Sequence, residues 1–289
     1  MFRFALLTSF IGTVSLATAA APPACALAAA PAERFAVRVP FEVVDGRIYV
    51  QASVNGRGPF RFAVDTGAGG VARADTALVK ALDLKPHGTG LASDGVTSAA
   101  VETVRFDSLA LGALSAQGGE AIARDYGSRM PAPAALHGIL ARDFFADGLL
   151  ILDYPNRTLS FSRELALPAH DPSLLGYDKA FRVPIAVGGI ATQGNLDTGA
   201  NVSLVMPRRL YDRLSGAPLA AAGQATLSNT QIDTGRALLE ESVTIGAARI
   251  DKVEARVSDR YPELLVGAHI LEKFTLMIDQ RSRRIALCD

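Results

Sequence analysis

Cysteine is scarce in this sequence, since its 289 residues contain only Cys25 and Cys288. Two cysteines cannot form the dense disulfide network that stabilises small secreted domains. A chain of this length can form one large domain or two ordinary ones, each with its own hydrophobic core. We expect two such domains, held together by their cores.

An excess of either charge is also absent, because 29 Lys and Arg residues balance 29 Asp and Glu residues. No cluster of Lys and Arg is dense enough to follow a phosphate backbone, so we expect no nucleic acid partner. Glycine and proline recur without a period, and 49% of the residues are hydrophobic. This composition is typical of a globular protein and argues against a fibrous or disordered chain.

Charge is almost missing from the N-terminal segment, where no charged residue lies between Arg3 and Glu33. An apolar stretch ending in small residues is typical of a secretory signal peptide, and A-x-A triplets give two candidate cleavage points, after Ala19 and after Ala28. The sequence does not choose between them. We assign residues 1–28 to a signal peptide and expect a periplasmic or secreted protein.

The same segment has two alternative interpretations. An uncleaved membrane anchor is disfavoured because Ser, Thr and Gly dilute the apolar stretch and Pro22-Pro23 interrupts it, so we expect no membrane span in the mature chain. A lipid on Cys25 is the other alternative, for which the preceding prolines are a poor setting. Because cleavage after Ala28 would remove Cys25, we expect the mature fold to hold together through its core, without a disulfide framework.

The two halves of the chain follow the same order of elements. "FAVDTGAGG" (62–70) and "GNLDTGANV" (194–202) each place Asp-Thr-Gly after an apolar run. A helix-like segment follows each triplet, "ARADTALVKALDL" in the first half and "MPRRLYDRLSG" in the second. Strand-like runs then pass through Gly112 and Gly246, which lie at nearly the same distance from the Asp of their half.

Similar blocks also close the two halves. "LHGILARDFF" and "LLVGAHILEKF" contain Gly138 and Gly267, which we match to each other, and Asp153 and Asp279 end matching apolar strands. Repetition at the start, middle and end of both halves predicts the duplication of a whole β-rich unit.

Alternating apolar residues before each triplet predict strands, with a tight turn at Asn55-Gly56 in the first half. A linker near residues 165–178 carries two prolines and several polar residues. We therefore expect a mainly β fold with two lobes, residues 36–165 and 175–289, related by an internal pseudo-two-fold axis.

A doubled aspartate turn has a specific chemical use. If Asp65 and Asp197 meet face to face, they cannot easily both ionise, so the pair shares one proton. The ionised member can take a proton from a water molecule while the protonated member hydrogen-bonds a substrate carbonyl. Hydrolysis then proceeds through a tetrahedral intermediate without a covalent enzyme adduct.

The other residues of each triplet have geometric roles. The hydroxyls of Thr66 and Thr198 can hydrogen-bond backbone across the contact between the turns. Gly67 and Gly199 lack a Cβ, so their amides can approach a carboxylate. A third Asp-Thr-Gly begins at Asp233, inside the hairpin region of the second half, and we interpret it as a coincidence. Each triplet taken alone could be an ordinary β-turn.

On "FAVDTGA", "GNLDTGA", "LHGIL" and "LLVGA", the chain from about residue 36 to 289 resembles bacterial retropepsin-like proteins of the aspartic protease superfamily, with two fused lobes. The resemblance implies a bilobal β-barrel fold with a cleft between the lobes. It also implies that Asp65 and Asp197 form the catalytic dyad of an endopeptidase, and that Thr66 and Thr198 interlock the two turns.

The substrate of such a protein lies extended across the cleft under flap hairpins. We expect these flaps near Asp94-Gly95 and Asn229-Thr230, where backbone hydrogen bonds would hold the peptide. We expect a peptide or protein substrate, a monomer, and neither a cofactor nor a metal ion.

Two departures from the pepsin pattern affect activity. Ala68 and Ala200 follow the triplets where pepsin-like members carry Ser or Thr, as in the retroviral type. Loss of a hydroxyl that would stabilise the ionised carboxylate predicts a pH optimum less acidic than that of a pepsin. The region "GTGLASDGVTSAAV" also contains no counterpart of the pepsin flap tyrosine.

Other functions fit the sequence less well. Gly67, Gly69 and Ala72 match the G-x-G-x-x-A pattern of a dinucleotide site, but the second half keeps only Gly199 of it. G-x-S-x-G is absent, and the four histidines show no metal-ligand spacing. The remaining alternative is a periplasmic protein that keeps the protease fold, has lost turnover, and binds peptides or cell-wall fragments.

Overall fold

A computed structural model describes residues 24–214 and 218–289 of the chain. Most of the predicted signal peptide, residues 1–23, therefore lies outside the described residues. Within the described ranges, no helix combines the length and the apolar character that crossing a membrane requires.

The first half consists mainly of short strands. They are β1 (Val37–Pro40), β2 (Glu42–Val44), β3 (Arg47–Val54), β4 (Arg57–Asp65), β5 (Ala72–Asp75), β6 (Pro86–Ser93), β7 (Ser98–Leu111), β8 (Leu114–Arg124), β9 (Gly138–Ala141), β10 (Leu149–Asp153) and β11 (Thr158–Ser162). One α-helix, α1 (Thr76–Leu82), follows β5. Short 3-10 helices span Ala24–Ala29, Ala32–Arg34, Gly127–Arg129, Ala132–Ala134 and Arg142–Phe145.

The second half repeats this order of elements with a shorter flap hairpin and a shorter helix after its triplet. Its strands are β12 (Leu175–Gly176), β13 (Arg182–Val187), β14 (Ile190–Asp197), β15 (Leu204–Pro207), β16 (Ala220–Thr226), β17 (Gln231–Leu238), β18 (Val243–Ile245), β19 (Ala248–Ile250), β20 (Glu254–Ser258), β21 (Leu264–Gly267), β22 (Thr275–Asp279) and β23 (Arg284–Cys288). Its helices are α2 (Arg208–Tyr211) and α3 (Ala268–Leu271).

Three sheets organise these strands, and the mainly β fold with two lobes is confirmed. Eight strands of the first half pair in the order β2-β3-β4-β9-β5-β8-β7-β6, and nine of the second half in the order β16-β17-β20-β15-β21-β14-β13-β18-β19. A third sheet, β1-β11-β10-β22-β23-β12, takes strands from both halves. At its centre β10 pairs with β22, Leu149 opposite Asp279 and Asp153 opposite Thr275, so the two halves share one sheet around a two-fold axis.

The strand and turn predictions around the first triplet agree with the structure. Ile48, Val50 and Ala52 are buried on one face of β3, as their alternation indicates. Asn55 and Gly56, at the turn between β3 and β4, have φ of 51° and 69°, the left-handed values that a tight hairpin turn requires. The matched Gly112 and Gly246 also lie in turns with positive φ, 56° and 59°.

The helix predictions after the two triplets are wrong at their N-terminal ends. Residues 72–75 form β5, which pairs with both β8 and β9, so the chain is extended where the apolar spacing predicted helix. The helix begins only at Thr76, where the side chain of Asp75 accepts the amide of Ala77 as an N-cap. In the second half β15 likewise precedes α2, and residues 215 and 216 of the predicted helix lie outside the described residues.

Our match between Gly138 and Gly267 is also wrong, by three positions. Gly138 pairs with Phe62 in the parallel ladder of β4 and β9, whereas Gly267 pairs with Asp197 in the ladder of β14 and β21. At each of the two glycines a side chain would clash with a different neighbour. A Cβ on Gly138 would lie 2.7 Å from a ring carbon of Phe62, and one on Gly267 would lie 2.7 Å from the carbonyl oxygen of Ala200.

The structure contains one disulfide that the sequence analysis does not predict, between Cys25 and Cys288. The 3-10 helix Ala24–Ala29 places Cys25 beside the last strand, β23. The linker contributes to the same region, since its leucines at positions 165, 167 and 174 are buried under the shared sheet. Cleavage after Ala28 stays an untested prediction, but the structure includes residues 24–28 in the fold.

Candidate active site

The two aspartates of the doubled triplet lie at the ends of equivalent strands. Asp65 is the last residue of β4 and Asp197 the last of β14. Each strand runs parallel to a buried strand, β9 or β21, that begins only after a long excursion of the chain. The parallel neighbour fixes the direction of each strand, so both Asp-Thr-Gly turns begin at the contact between the lobes.

Thr66 and Thr198 interlock the two turns by four hydrogen bonds. The amide of each threonine donates to the hydroxyl of the other, at 3.1 Å from Thr66 and 3.0 Å from Thr198. The hydroxyl of Thr66 donates to the carbonyl of Leu196 at 2.9 Å, and that of Thr198 to the carbonyl of Val64 at 2.8 Å. Both side chains are buried, so these bonds are shielded from water.

Gly67 and Gly199 allow the carboxyl group of each lobe to lie against the turn of the other. A Cβ on Gly67 would be 2.5 Å from Cγ of Asp197, and a Cβ on Gly199 would be 2.5 Å from Oδ2 of Asp65. Neither position could accept a side chain without moving a carboxyl group. The structure therefore brings Asp65 and Asp197 together, each above the glycine of the opposite triplet.

The two carboxyl groups have different hydrogen-bond partners. Oδ1 of Asp65 accepts the amides of Gly67 and Ala68, both at 2.9 Å. Oδ1 of Asp197 accepts the amide of Gly199 at 2.8 Å, while the amide of Ala200 donates to the backbone carbonyl of Asp197. Amide donors stabilise a carboxylate, and the carboxyl group of Asp65 accepts one more of them than that of Asp197.

The pKa of Asp197 is raised well above its ordinary value. Burial is the main cause, and the charge of Asp65 and a hydrogen bond between the two carboxyl groups raise the pKa further. The amide of Gly199 and the charge of Arg47 oppose the rise. Two carboxyl groups that lie this close together cannot easily both ionise, and this repulsion favours a pair that carries one proton.

A network of polar side chains from both lobes contacts the second Asp-Thr-Gly turn. Nε of Arg47 donates to the carbonyl of Gly199 at 2.6 Å, and Nη2 donates to Oδ1 of Asn201 at 2.9 Å. The Asn201 amide in turn donates to Asp45 at 2.6 Å, and Asp45 pairs with Nε2 of His269 at 2.9 Å. The sequence analysis missed these residues, because their partners are more than a hundred positions away.

The predicted flap residues lie at the tips of two hairpins. β6 and β7 are joined by a turn that contains Asp94 and Gly95, and β16 and β17 by one that contains Asn229 and Thr230. The tips contact each other, since the amide of Asn229 donates to Oδ2 of Asp94 at 2.9 Å. Burial alone would raise the pKa of Asp94, but the amides of Thr97 and Asn229, among others, lower it below its ordinary value.

The side chain of Asn229 adds to this contact. Its Nδ2 donates to the carbonyls of Ala92 and Thr97, at 2.8 and 3.0 Å, and its Oδ1 accepts Nη2 of Arg124 at 2.8 Å. We call the contacts between Asn229 and the first-lobe hairpin the flap latch. The flap latch therefore holds the tips of the two hairpins together.

A tyrosine does contact a flap tip, although it belongs to the second lobe and not to the region "GTGLASDGVTSAAV" of the first. A Cβ on Gly95 would lie 3.1 Å from Cε2 of Tyr261, so this ring packs against the tip of the first flap. Burial raises the pKa of Tyr261, and the charge of Asp197 adds to the rise. Tyr261 therefore lies within electrostatic reach of the dyad, and no sequence motif marks it.

The residues of the rival interpretations lie elsewhere or serve other contacts. Asp233 is an exposed residue in the middle of β17, paired across the hairpin with Gln224. Unlike Asp65 and Asp197, it is not the last residue of its strand. The turn with Gly67 and Gly69 leads into strand β5 and not into a helix, so it lacks the helix N-terminus of a dinucleotide site. Among the described residues, no group of His, Cys, Asp and Glu is arranged to hold a metal ion.

Comparison with known families agrees with this geometry. A family model described as aspartyl protease matches residues 50–144 and 183–270. The two regions together make up more than half of the chain, and each contains one of the interlocked Asp-Thr-Gly turns. No curated protein matches the chain.

Proposed function

The chain belongs to the aspartyl protease family, and from this premise we propose that it is an aspartic endopeptidase. It hydrolyses peptide bonds with a water molecule activated between Asp65 and Asp197. The observation that carries the proposal is the position of the two carboxyl groups, each against the glycine of the opposite turn. A fold that only bound peptides would not need two carboxyl groups in this arrangement.

The different surroundings of the two carboxyl groups suggest their roles. Asp65, which accepts two backbone amides, is the ionised base that takes a proton from the water. Asp197, with its raised pKa, is the acid that gives its proton to the substrate carbonyl oxygen. The tetrahedral intermediate then collapses as Asp65 passes its proton to the leaving nitrogen and Asp197 regains one from the intermediate.

The substrate is a peptide or protein segment in extended conformation beneath the two flaps. Flap hairpins present backbone donors and acceptors, which bind an extended chain independently of its side chains. Entry requires the flap latch to open, so the loop motion contributes to the rate of turnover. We further propose that the protein works as a monomer, because one chain supplies both aspartates. We also propose that it works outside the cytoplasm, because its N-terminal segment is typical of a secretory signal peptide.

Cleavage of a mixed peptide library by the purified protein tests this function. We expect wild-type protein to cleave and pepstatin to inhibit it, whereas Asp65→Asn and Asp197→Asn should each lose cleavage by a factor of about 1,000 or more, as loss of a catalytic acid or base predicts. Asp233→Asn is the matched control, because it makes the same substitution in the third Asp-Thr-Gly triplet, at an exposed site of β17.

The outcomes separate the two candidate functions. If wild type and the three variants behave alike, the enzyme assignment fails. Retained peptide binding without cleavage would then assign the chain to the peptide-binding alternative.

A further inference from the structure

We propose that export removes the signal peptide upstream of Cys25, after Ala19, and that residues 24–30 stay in the mature protein as a strap fastened by the disulfide to Cys288. Of the two cleavage points that the sequence offers, only the one after Ala19 leaves Cys25 on the mature chain. The proposal concerns processing and does not depend on peptidase activity.

The strap is part of the hydrophobic core. Ala24 is only 2% exposed. It belongs to a cluster on the underside of the shared sheet, together with residues of β10, β22, β23 and the linker, against which Leu27, Ala28 and Ala30 also pack. A sheet buries its apolar face against another element. Here the strap and the linker provide that cover.

Polar contacts from three other segments hold the strap and the residues that follow it. Nη2 of Arg38, on β1, donates to the carbonyl of Ala28 at 2.8 Å. The amide of Ala24 donates to the carboxylate of Asp171 in the linker. Just beyond the strap, the hydroxyl of Ser162, on β11, donates to the carbonyl of Arg34 at 2.6 Å. These contacts join the N-terminal segment to the first lobe and to the linker, and the disulfide to Cys288 joins it to the second lobe.

Cleavage after Ala28 would undo this arrangement. It would remove Cys25 and Ala24, leave the buried Cys288 as a free thiol, and uncover part of the underside of the shared sheet. Cleavage after Ala19 keeps every one of these contacts. The disulfide forms when the two thiols lose two protons and two electrons to a disulfide-bearing thiol oxidant, and such oxidants operate in the compartments that exported proteins reach.

The direct test is the N-terminal sequence and intact mass of the wild-type protein, purified through a C-terminal tag after export from a bacterial host. We expect an N-terminus between residues 20 and 24 and no thiol that reacts with an alkylating agent until the protein is reduced, after which two react. An N-terminus at Ala29, an uncleaved chain, or alkylation before reduction would each overturn the proposal.

Two substitutions separate the cleavage points. Ala19→Glu places a large charged residue at the first point, and we expect it to block or strongly slow processing. Ala26→Glu disrupts the second A-x-A triplet, and Ala26 is exposed, so the fold should tolerate the change. We expect Ala26→Glu to leave the mature N-terminus unchanged. Loss of processing in this variant, with normal processing in Ala19→Glu, would contradict the proposal.

The fastening role is tested separately by stability. The double variant Cys25→Ser, Cys288→Ser should melt roughly 10 °C lower than the oxidised wild type, because the disulfide closes a very long loop. The reduced wild type should show the same loss. Equal melting temperatures for all three proteins would show that the strap is not fastened by this bond.

Discussion

Asp65 and Asp197 occupy equivalent positions at the ends of β4 and β14, yet their surroundings differ. Asp65 accepts two backbone amides, whereas Asp197 accepts one, and burial raises the pKa of Asp197. The sequence contexts, "VDTGA" and "LDTGA", are nearly identical. The proposed division into base and acid therefore rests on backbone geometry, which the triplets alone do not reveal.

The raised pKa of Asp197 predicts the pH dependence of activity. The acid must carry its proton, so cleavage should be lost as the pH rises through the pKa of Asp197 and should persist at less acidic pH than in a pepsin. A profile of kcat/KM against pH measures this, with circular dichroism at each pH as the control for unfolding. An optimum well below about pH 4 would contradict the prediction, since an ordinary carboxyl group has a pKa of about 3.9.

Gly199→Ala should inactivate the enzyme without changing either aspartate. The new Cβ would lie 2.5 Å from Oδ2 of Asp65, so the carboxyl groups must separate. We expect a loss in kcat of about 100-fold or more, because misplacement by about 1 Å can have an effect of this size. Gly176→Ala is the control, because a Cβ there meets nothing within 4 Å. Normal cleavage by Gly199→Ala would be incompatible with the arrangement described here.

At the scale of elements, the hairpins were predictable from the sequence and the helices only in part. Alternating apolar residues and Asn55-Gly56 identify β3 and β4 because strand period and turn residues are local properties. β5 was not predictable, because its extended backbone depends on β8 and β9 on either side. Apolar spacing in a segment this short fits a strand or the start of a helix equally well.

The flap latch makes a prediction at the same scale. Asn229→Ala removes two donors to the first-lobe hairpin, so both flap tips should open more often. Amide hydrogen exchange at the two tips should accelerate by about tenfold or more, since each tenfold change corresponds to about 1.4 kcal/mol and a hydrogen bond contributes about 1 kcal/mol. Core strands such as β10 should exchange as in the wild type.

Thr230→Ala is the matched control for the latch, because the Thr230 hydroxyl contacts only the carbonyl of its neighbour Gln231, at 3.4 Å. If Asn229→Ala and Thr230→Ala exchange at the same rate at both tips, the side-chain contacts of Asn229 do not hold the flaps together. The backbone bond from Asn229 to Asp94 persists in both variants, so the difference reports the side chain alone.

At the scale of the whole molecule, the two lobes are joined at several places. These include the six-stranded sheet, the interlocked threonines, the network that runs from Arg47 to His269, and the flap latch. The duplication was visible in the sequence, whereas these connections were not, because every one of them links residues from different halves. The disulfide was missed for a related reason, since Cys25 was judged by its place in the predicted signal peptide and not by its neighbours.

Arg47→Ala tests the connection between the lobes at the active site. Removing the guanidinium deletes hydrogen bonds to Gly199 and Asn201, so the second turn should lose its support. We expect kcat to fall by roughly 10-fold, and Arg47→Lys to recover little, because an ammonium cannot reproduce the two-point contact of a guanidinium. Arg57→Ala, at an exposed position of β4, should leave kcat unchanged. Equal activity of Arg47→Ala and Arg57→Ala would exclude a positioning role for Arg47.

The central claim is that one proton is shared between Asp65 and Asp197, and a pH titration by NMR of protein labelled with ¹³C at the aspartate carboxyl groups tests it most directly. Asp197→Asn identifies the signal. The account predicts that Asp197 titrates well above the ordinary value of about 3.9, and that its pKa moves back toward that value in Asp65→Asn. An Asp197 signal that titrates near the ordinary value in the wild type, or that does not respond to Asp65→Asn, would contradict the account.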